Sequence, residues 1–208
     1  GLAAKFSFIA FTLAGDQLVF ALALSALVTI ILGLGMPTPS AYVLAAVLVG
    51  PTLVNDYGFQ ELNAHLFLLY FAVMSAMTPP VAVAAYAASA ISGANPLKIA
   101  VISMRFSIVA FVVPFMFVIN PLVLTPLASL SAFGICLATI LACILIALAS
   151  EIRWLGFLSF PIKTSMWLAA ICLSVPILSW KIFGAFIGVG LMVYSYRGYC
   201  NFRYGLQS

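Results

Sequence analysis

The chain has 208 residues, of which 66% are hydrophobic and 6% charged, with a formal net charge of +4. An ordinary soluble domain carries about 25% charged residues, and no soluble fold of this size could bury so much apolar surface. The composition therefore excludes a soluble enzyme and predicts an all-α integral membrane protein.

Residues 1–15 read as a short helix at or near the interface, too short to span. The chain opens on Gly1 with no initiator Met and no secretory signal pattern, so a piece of a longer protein is the expected reading. From Gln17 to Leu34 the sequence is apolar, and then "GLGMPTPS" interrupts it with Gly33, Gly35, Pro37 and Pro39. Ser40 to Val54 is apolar again but only about 15 residues long, below the roughly 20 that cross a bilayer. Two short arms around a Gly/Pro tip predict a re-entrant hairpin over about 17–54. Such backbone is tolerated at membrane depth only inside protein or beside a water-filled cavity.

The polar stretch "NDYGFQELN" (55–63) predicts a loop. Ala64–Met77 and Val81–Ser92 are half-length helices separated by Thr78-Pro79-Pro80, together one discontinuous span over about 64–92. After the turn "GANPLK", Ile99–Ile119 and Leu127–Ala149 read as ordinary spans. Residues 150–163 read as a loop or interfacial piece. Thr164–Trp180 and Ile182–Tyr196 read as two further crossings, crowded by Pro176 and Lys181.

Basic residues set the orientation. This topology puts Lys98, Arg153, Lys163, Arg197 and Arg203 on one side, with Asp16, Asp56 and Glu61 on the other beside only Lys5 and Lys181. The positive-inside rule makes the first side, with the C-terminus, cytoplasmic. The hairpin then opens to the outside. Basic residues scattered singly suit topology and not nucleic-acid binding.

The two breaks have shared chemistry. Proline lacks an N–H, so the carbonyl four residues earlier loses its helical partner. Pro37 and Pro39 relieve Gly33 and Gly35, and Pro79 and Pro80 relieve Ser75 and Ala76. Left bare in a membrane interior, each carbonyl would cost several kcal/mol by general estimates, about the cost of any unsatisfied polar group. A desolvated cation is one way to satisfy them. The same breaks start new helices, with Thr38 and Thr78 as expected N-caps and a proline following each. Helix N-termini attract anions, which makes Thr38, Pro39, Ser40, Pro79 and Pro80 the expected substrate-binding residues. Carbonyls for a cation and helix N-termini for an anion, both at midplane, are the site design of many secondary transporters. The plainer alternative is a pair of structural kinks.

"GLGMPTPSAYVLAAVLVGPTLV", "AHLFLLYFAVMSAMTPPVAVAAYAASAISGANP" and "MRFSIVAFVVPFMFVINPLVL" resemble the large membrane subunit of tripartite ATP-independent periplasmic (TRAP) transporters, in the branch where small and large subunits are fused. The resemblance covers 1–124 closely and 125–208 loosely, the latter as extra C-terminal spans. It implies residues 1–124 as the second inverted repeat of an elevator-type symporter, with the first repeat upstream. It further implies a bacterial inner-membrane, multi-pass permease, driven by sodium, that takes up organic acid anions delivered by an extracytoplasmic solute-binding protein. A small membrane subunit or fused N-terminal segment, a carboxylate substrate and the lipid bilayer are the implied partners; no cofactor beyond the coupling ion is implied. By the same resemblance, sodium sits between Gly33 and Gly35 of the hairpin tip and Ser75, Thr78 and Val81 of the broken helix. Related tips often carry an Asp before the Pro-Thr, where this chain has Met36.

Other residues have plainer readings. His65, the only histidine, suits an interfacial or capping role, with proton coupling as the alternative. Arg105 suits snorkelling to the cytoplasmic surface over substrate passage. Gly184 and Gly188 form a G-x-x-x-G helix-packing motif. Asp56 and Glu61 suit solvated loop charges, and Cys136, Cys143, Cys172 and Cys200 suit free thiols. A membrane-embedded enzyme is the rival class, but His65 has no G-x-S-x-G partner and four acidic residues are few for a metal-dependent transferase. A purely structural subunit is the third reading.

Overall fold

The computed structural model describes Thr12, Gly15 and residues 17–124, 130–151, 159–174, 184–191 and 193. Among them every regular element is helical. The readings made for 1–11, Asp16, Arg153, Lys181, Arg197, Cys200 and Arg203, and for the turn at Pro176, lie outside the described residues. The chain forms two compact units, Gly1–Val118 and Ile119–Ser208.

The first unit begins with α1, Leu18–Gly33. At 16 residues it reaches about 24 Å. Its buried stripe runs Leu22, Ser25, Ala26, Thr29 and Gly33, the i, i+3, i+4, i+7 spacing of one helix face. Ser25 Oγ donates to the Ala21 carbonyl and Thr29 Oγ1 to that of Ser25, both at 2.7 Å, so the two buried hydroxyls are satisfied within the helix. The exposed face is equally apolar, with Val19, Leu27 and Ile31. Lipid permits that pattern; water does not.

The chain turns over residues 34–37 into α2, Thr38–Leu48, which packs back on α1 and on α3. A π-helical turn, Thr52–Asp56, and a short loop lead into α3, Glu61–Ser75. α3 therefore starts three residues before the expected Ala64. Asn63, read from sequence as loop, is 1% exposed, with Nδ2 3.4 Å from the Phe117 carbonyl. Its burial follows from the helix start, which turns position 63 inward. Asp56 and Glu61 are exposed.

Next come α4, Val83–Ser92, and α5, Pro96–Phe106. Their connection follows the local rules. Gly93 caps α4 in the left-handed region (φ 69°), and its N–H donates to the Ser89 carbonyl. Asn95 accepts from the N–H groups of Leu97 and Lys98, with Pro96 at the first helical position. The pair closes on Ala82, Ala85 and Ala100, with Ile99 against them.

Where a straight span over 99–119 was expected, the chain bends by 43° between α5 and α6, Ile108–Ile119. The bend is at Ser107 (φ −90°, ψ 11°), whose carbonyl accepts from both Ala110 and Phe111. Pro114 lies seven residues further on and is not its cause. α6 meets α3 through aromatic rings: Phe115 sits edge-on to Phe67 at 5.3 Å and to Phe71 at 5.7 Å.

The second unit holds a 3-10 turn, Pro121–Leu124, then α7, Leu130–Glu151, and α8, Ser159–Ser174. Within α7, Ala132–Ser150 is long and apolar enough to cross a bilayer unaided. α8 begins five residues before the expected Thr164, taking in part of the expected loop 150–163; Pro161 falls in its first turn, where a proline costs no helical hydrogen bond. Residues 184–191 form a further helical segment, α9. A Cβ on Gly184 would stand 2.9 Å from the Ala169 carbonyl oxygen, and one on Gly188 would stand 2.6 Å from Leu145 Cδ1. The G-x-x-x-G motif is spent on packing inside this unit. Cys136, Cys143 and Cys172 are free and half-buried.

Candidate functional site

The site forms where α1 and α3 end together. Gly33 closes α1 and Ser75 closes α3. A Cβ added at Gly33 would overlap Ser75 Oγ and lie 2.7 Å from Ser75 Cβ, with Ala41 Cβ of α2 at 3.3 Å. Only glycine permits this approach. Gly35 follows in the left-handed region (φ 78°), which also favours glycine. A Cβ there would meet Val81 Cγ1 at 3.7 Å. The turn between α1 and α2 thus touches the chain on both sides of the Thr-Pro-Pro segment, which brings together Gly33 with Ser75 and Gly35 with Val81.

The hydroxyls at the end of α3 are oriented by the backbone. Ser75 Oγ donates to the Ala72 carbonyl at 2.7 Å, and Thr78 Oγ1 donates to that of Met74 at 2.8 Å. Each proton is committed backwards, so each oxygen keeps lone pairs for another partner. Ser75 is buried and Thr78 half-buried.

Neither threonine caps a following helix. Pro37, with ψ 139°, takes the N-cap position of α2, which makes Thr38 the first helical residue and Pro39 the second; no side chain caps this end. Residues 76–81 are turns, and α4 begins at Val83 behind Ala82. The expected caps are therefore displaced, the first by one residue and the second by four. Ala82 is fully buried and left-handed (φ 37°, ψ 54°), a conformation that costs an L-residue roughly 1–2 kcal/mol. No local signal at an alanine marks such a position.

The carbonyls relieved by the prolines are also less bare than expected. That of Gly33 accepts from the Met36 N–H at 3.2 Å, and that of Ser75 from Thr78 at 3.3 Å. The Ala76 carbonyl accepts from the Ala84 N–H at 3.0 Å, across the whole Pro-Pro turn. The carbonyl of Gly35 accepts no backbone hydrogen bond among the described residues. Each bonded carbonyl still has a second lone pair.

Of the expected anion contacts, Thr38 is half-buried while Pro39 and Ser40 are exposed on the first turn of α2; Pro79 is half-buried and Pro80 exposed, joined by a cis peptide bond. Among the described residues no three His, Cys, Asp or Glu side chains converge. A cation at the tip would be held by carbonyls and hydroxyls, donors suited to a hard ion. His65 lies away from the break on α3, where Nδ1 is 3.0 Å from the Tyr42 hydroxyl of α2; it caps nothing.

No curated protein and no solved structure matches the chain. The family model for the tripartite ATP-independent periplasmic transporter, DctM component, matches residues 1–130. This is a family of membrane transporters and not of enzymes. A chain whose matched part ends two helices against each other at Gly33 and Ser75 belongs to that family, as the large membrane component of a TRAP secondary transporter.

Proposed function

We propose that the protein is the permease component of a sodium-coupled symporter that takes up organic acid anions delivered by an extracytoplasmic solute-binding protein. The observation that carries this reading is the contact of Gly33 with Ser75. It sets the C-terminal ends of α1 and α3 together, and each carries the negative end of its helix dipole, about half a charge. Two such ends repel unless a cation lies between them. The Gly35 carbonyl and the committed hydroxyls of Ser75 and Thr78 are suitable oxygen donors, with Val81 lining the other side. This supports sodium as cargo bound at the tip and carried with the substrate.

The start of α2 offers the backbone N–H groups of Thr38 and Ser40 to a carboxylate, with Pro39 shaping the turn between them and Pro79 and Pro80 on the facing break. In this reading 1–124 is one inverted repeat of an elevator-type permease and 125–208 supplies further spans. The hairpin opens outward in the bacterial inner membrane, where the binding protein docks, and the C-terminus is cytoplasmic. A small membrane subunit, separate or fused, completes the complex.

The test is uptake of a labelled dicarboxylate or sugar acid by the complete transporter in liposomes, with its binding protein added outside. Uptake should follow an inward sodium gradient and fail with an equal potassium gradient. Equal uptake in both salts would overturn sodium coupling; uptake indifferent to the binding protein would overturn the delivery step.

A further inference from the structure

We propose that Tyr42 and His65 are positioning residues for the cation site, acting through the hairpin without touching the ion; the proposal rests on the transport reading above. Tyr42 lies four residues after Thr38, one turn into α2. Its hydroxyl is 3.0 Å from His65 Nδ1 on α3, and the rings meet near edge-on, with centroids 6.1 Å apart. Both side chains are half-buried. The direction of the bond follows the imidazole tautomer: with the ring proton on Nε2 the phenol donates to Nδ1, and with it on Nδ1 the ring donates to the phenol oxygen.

The bond adds a directional polar tie to the hairpin's packing. Gly33 holds the tip to Ser75 at the end of α3. α2 also packs on α1 and α3 through the fully buried Ala41 and Ala45, but apolar packing is non-directional and leaves the fine rotation of the helix to a directional contact. Pinning Tyr42 to His65 fixes the rotation and height of α2, and with them Thr38 and the Gly35 carbonyl. An ion needs oxygens from the tip and from the interrupted helix at once. If the tip is already ordered, the ion does not have to order it, and less of its binding energy is lost.

The test uses the complete transporter with its binding protein in liposomes, comparing Tyr42→Phe, His65→Leu, the double variant and His65→Asn. Tyr42→Phe keeps the ring and loses the hydroxyl, hence the bond in either direction. His65→Asn keeps an amide near the position of Nδ1 that can accept from or donate to the phenol. Each of the first two should raise the sodium concentration for half-maximal uptake about three- to tenfold, the equivalent of one hydrogen bond, at a maximal rate little changed per inserted molecule. The double variant should be no worse than the worse single, and His65→Asn should stay within about twofold of the parent. An unchanged sodium dependence in both singles, or effects that multiply in the double, would overturn the proposal. A second readout needs no transport. Ser40→Cys, at the exposed start of α2, should react faster with a thiol reagent when Tyr42→Phe is added, in sodium-free buffer. Should the parent transporter prove indifferent to sodium, the transport reading fails, and the labelling rate alone decides whether the pair positions the hairpin: no acceleration means that it does not.

Discussion

Gly33 lies so close to Ser75 that a single methyl group at position 33 would overlap the serine hydroxyl. Ser75 is 2% exposed and its side chain has nowhere to swing. Gly33→Ala should therefore destabilise the first unit by about 1–3 kcal/mol, the usual cost of overpacking, read as a lower melting temperature in detergent. Ser75→Ala should not rescue it, because the Ser75 Cβ would still be 2.7 Å away. Ser75→Gly should restore part of the loss. Rescue by Ser75→Ala would show that the hydroxyl alone is the obstacle.

Thr78 separates a structural from a cation-binding role. Its hydroxyl donates to the Met74 carbonyl and begins no helix. Losing that bond in Thr78→Ala should cost about 0.5–1.5 kcal/mol of stability, independent of sodium. If the oxygen also binds the ion, half-saturation should rise about tenfold for each 1.4 kcal/mol of binding lost. We expect a large shift for Thr78→Ala and a small one for Thr78→Ser. Reduced stability with unchanged sodium dependence would remove Thr78 from the site.

Ala82 should respond to glycine unlike its neighbour. Relief of the left-handed Cβ is worth about 1–2 kcal/mol, against about 0.5–1 for added backbone freedom and about 0.8 for one buried methyl. Ala82→Gly should be close to neutral. Ala85→Gly, inside α4 and 3% exposed, has no such relief and should be less stable by about 1–2 kcal/mol. Equal losses at the two positions, by thermal unfolding, would contradict the backbone geometry at Ala82.

In the second unit, the two glycines of the packing motif differ in what they face. Gly184 approaches the Ala169 carbonyl and the Cys172 Cβ, which cannot move without their helix. Gly188 approaches the far end of the fully buried Leu145 side chain, whose tip has to shift by less than a backbone would. Gly184→Ala should cost about 1–3 kcal/mol and Gly188→Ala less than about 1. The reverse order would mean that Leu145 is the more rigid neighbour.

The two breaks and the Gly93–Asn95 turn were legible because glycine and proline act through their own backbone. The position of the helix starts was not. "MPTP" offers two prolines, and which one begins α2 depended on the extended ψ of Pro37. At "MTPP" the same rule placed a helix at Pro79, while turns run on to Ala82. The burial of Asn63 and the bond from Tyr42 to His65 depend on how α3 faces α6 and α2. Periodicity within one segment does not carry that information. Gly33 meets Ser75 and Gly35 meets Val81, but how closely depends on the packing of separate helices, which no single segment encodes.

The hydrogen bond from the Ala84 N–H to the Ala76 carbonyl bears on how the chain enters the bilayer. It joins residues only eight apart, so closing that loop costs little chain entropy. The Gly33–Ser75 contact spans 42 positions and must wait for both helices. The turn around Pro79 and Pro80 is the more local of the two contacts, and its closure does not require the hairpin. During insertion it would shield one donor and one acceptor that lipid cannot satisfy. A proline at position 84 would remove the donor, so Ala84→Pro should lower the amount of chain that inserts more than it lowers the activity of the chain that does.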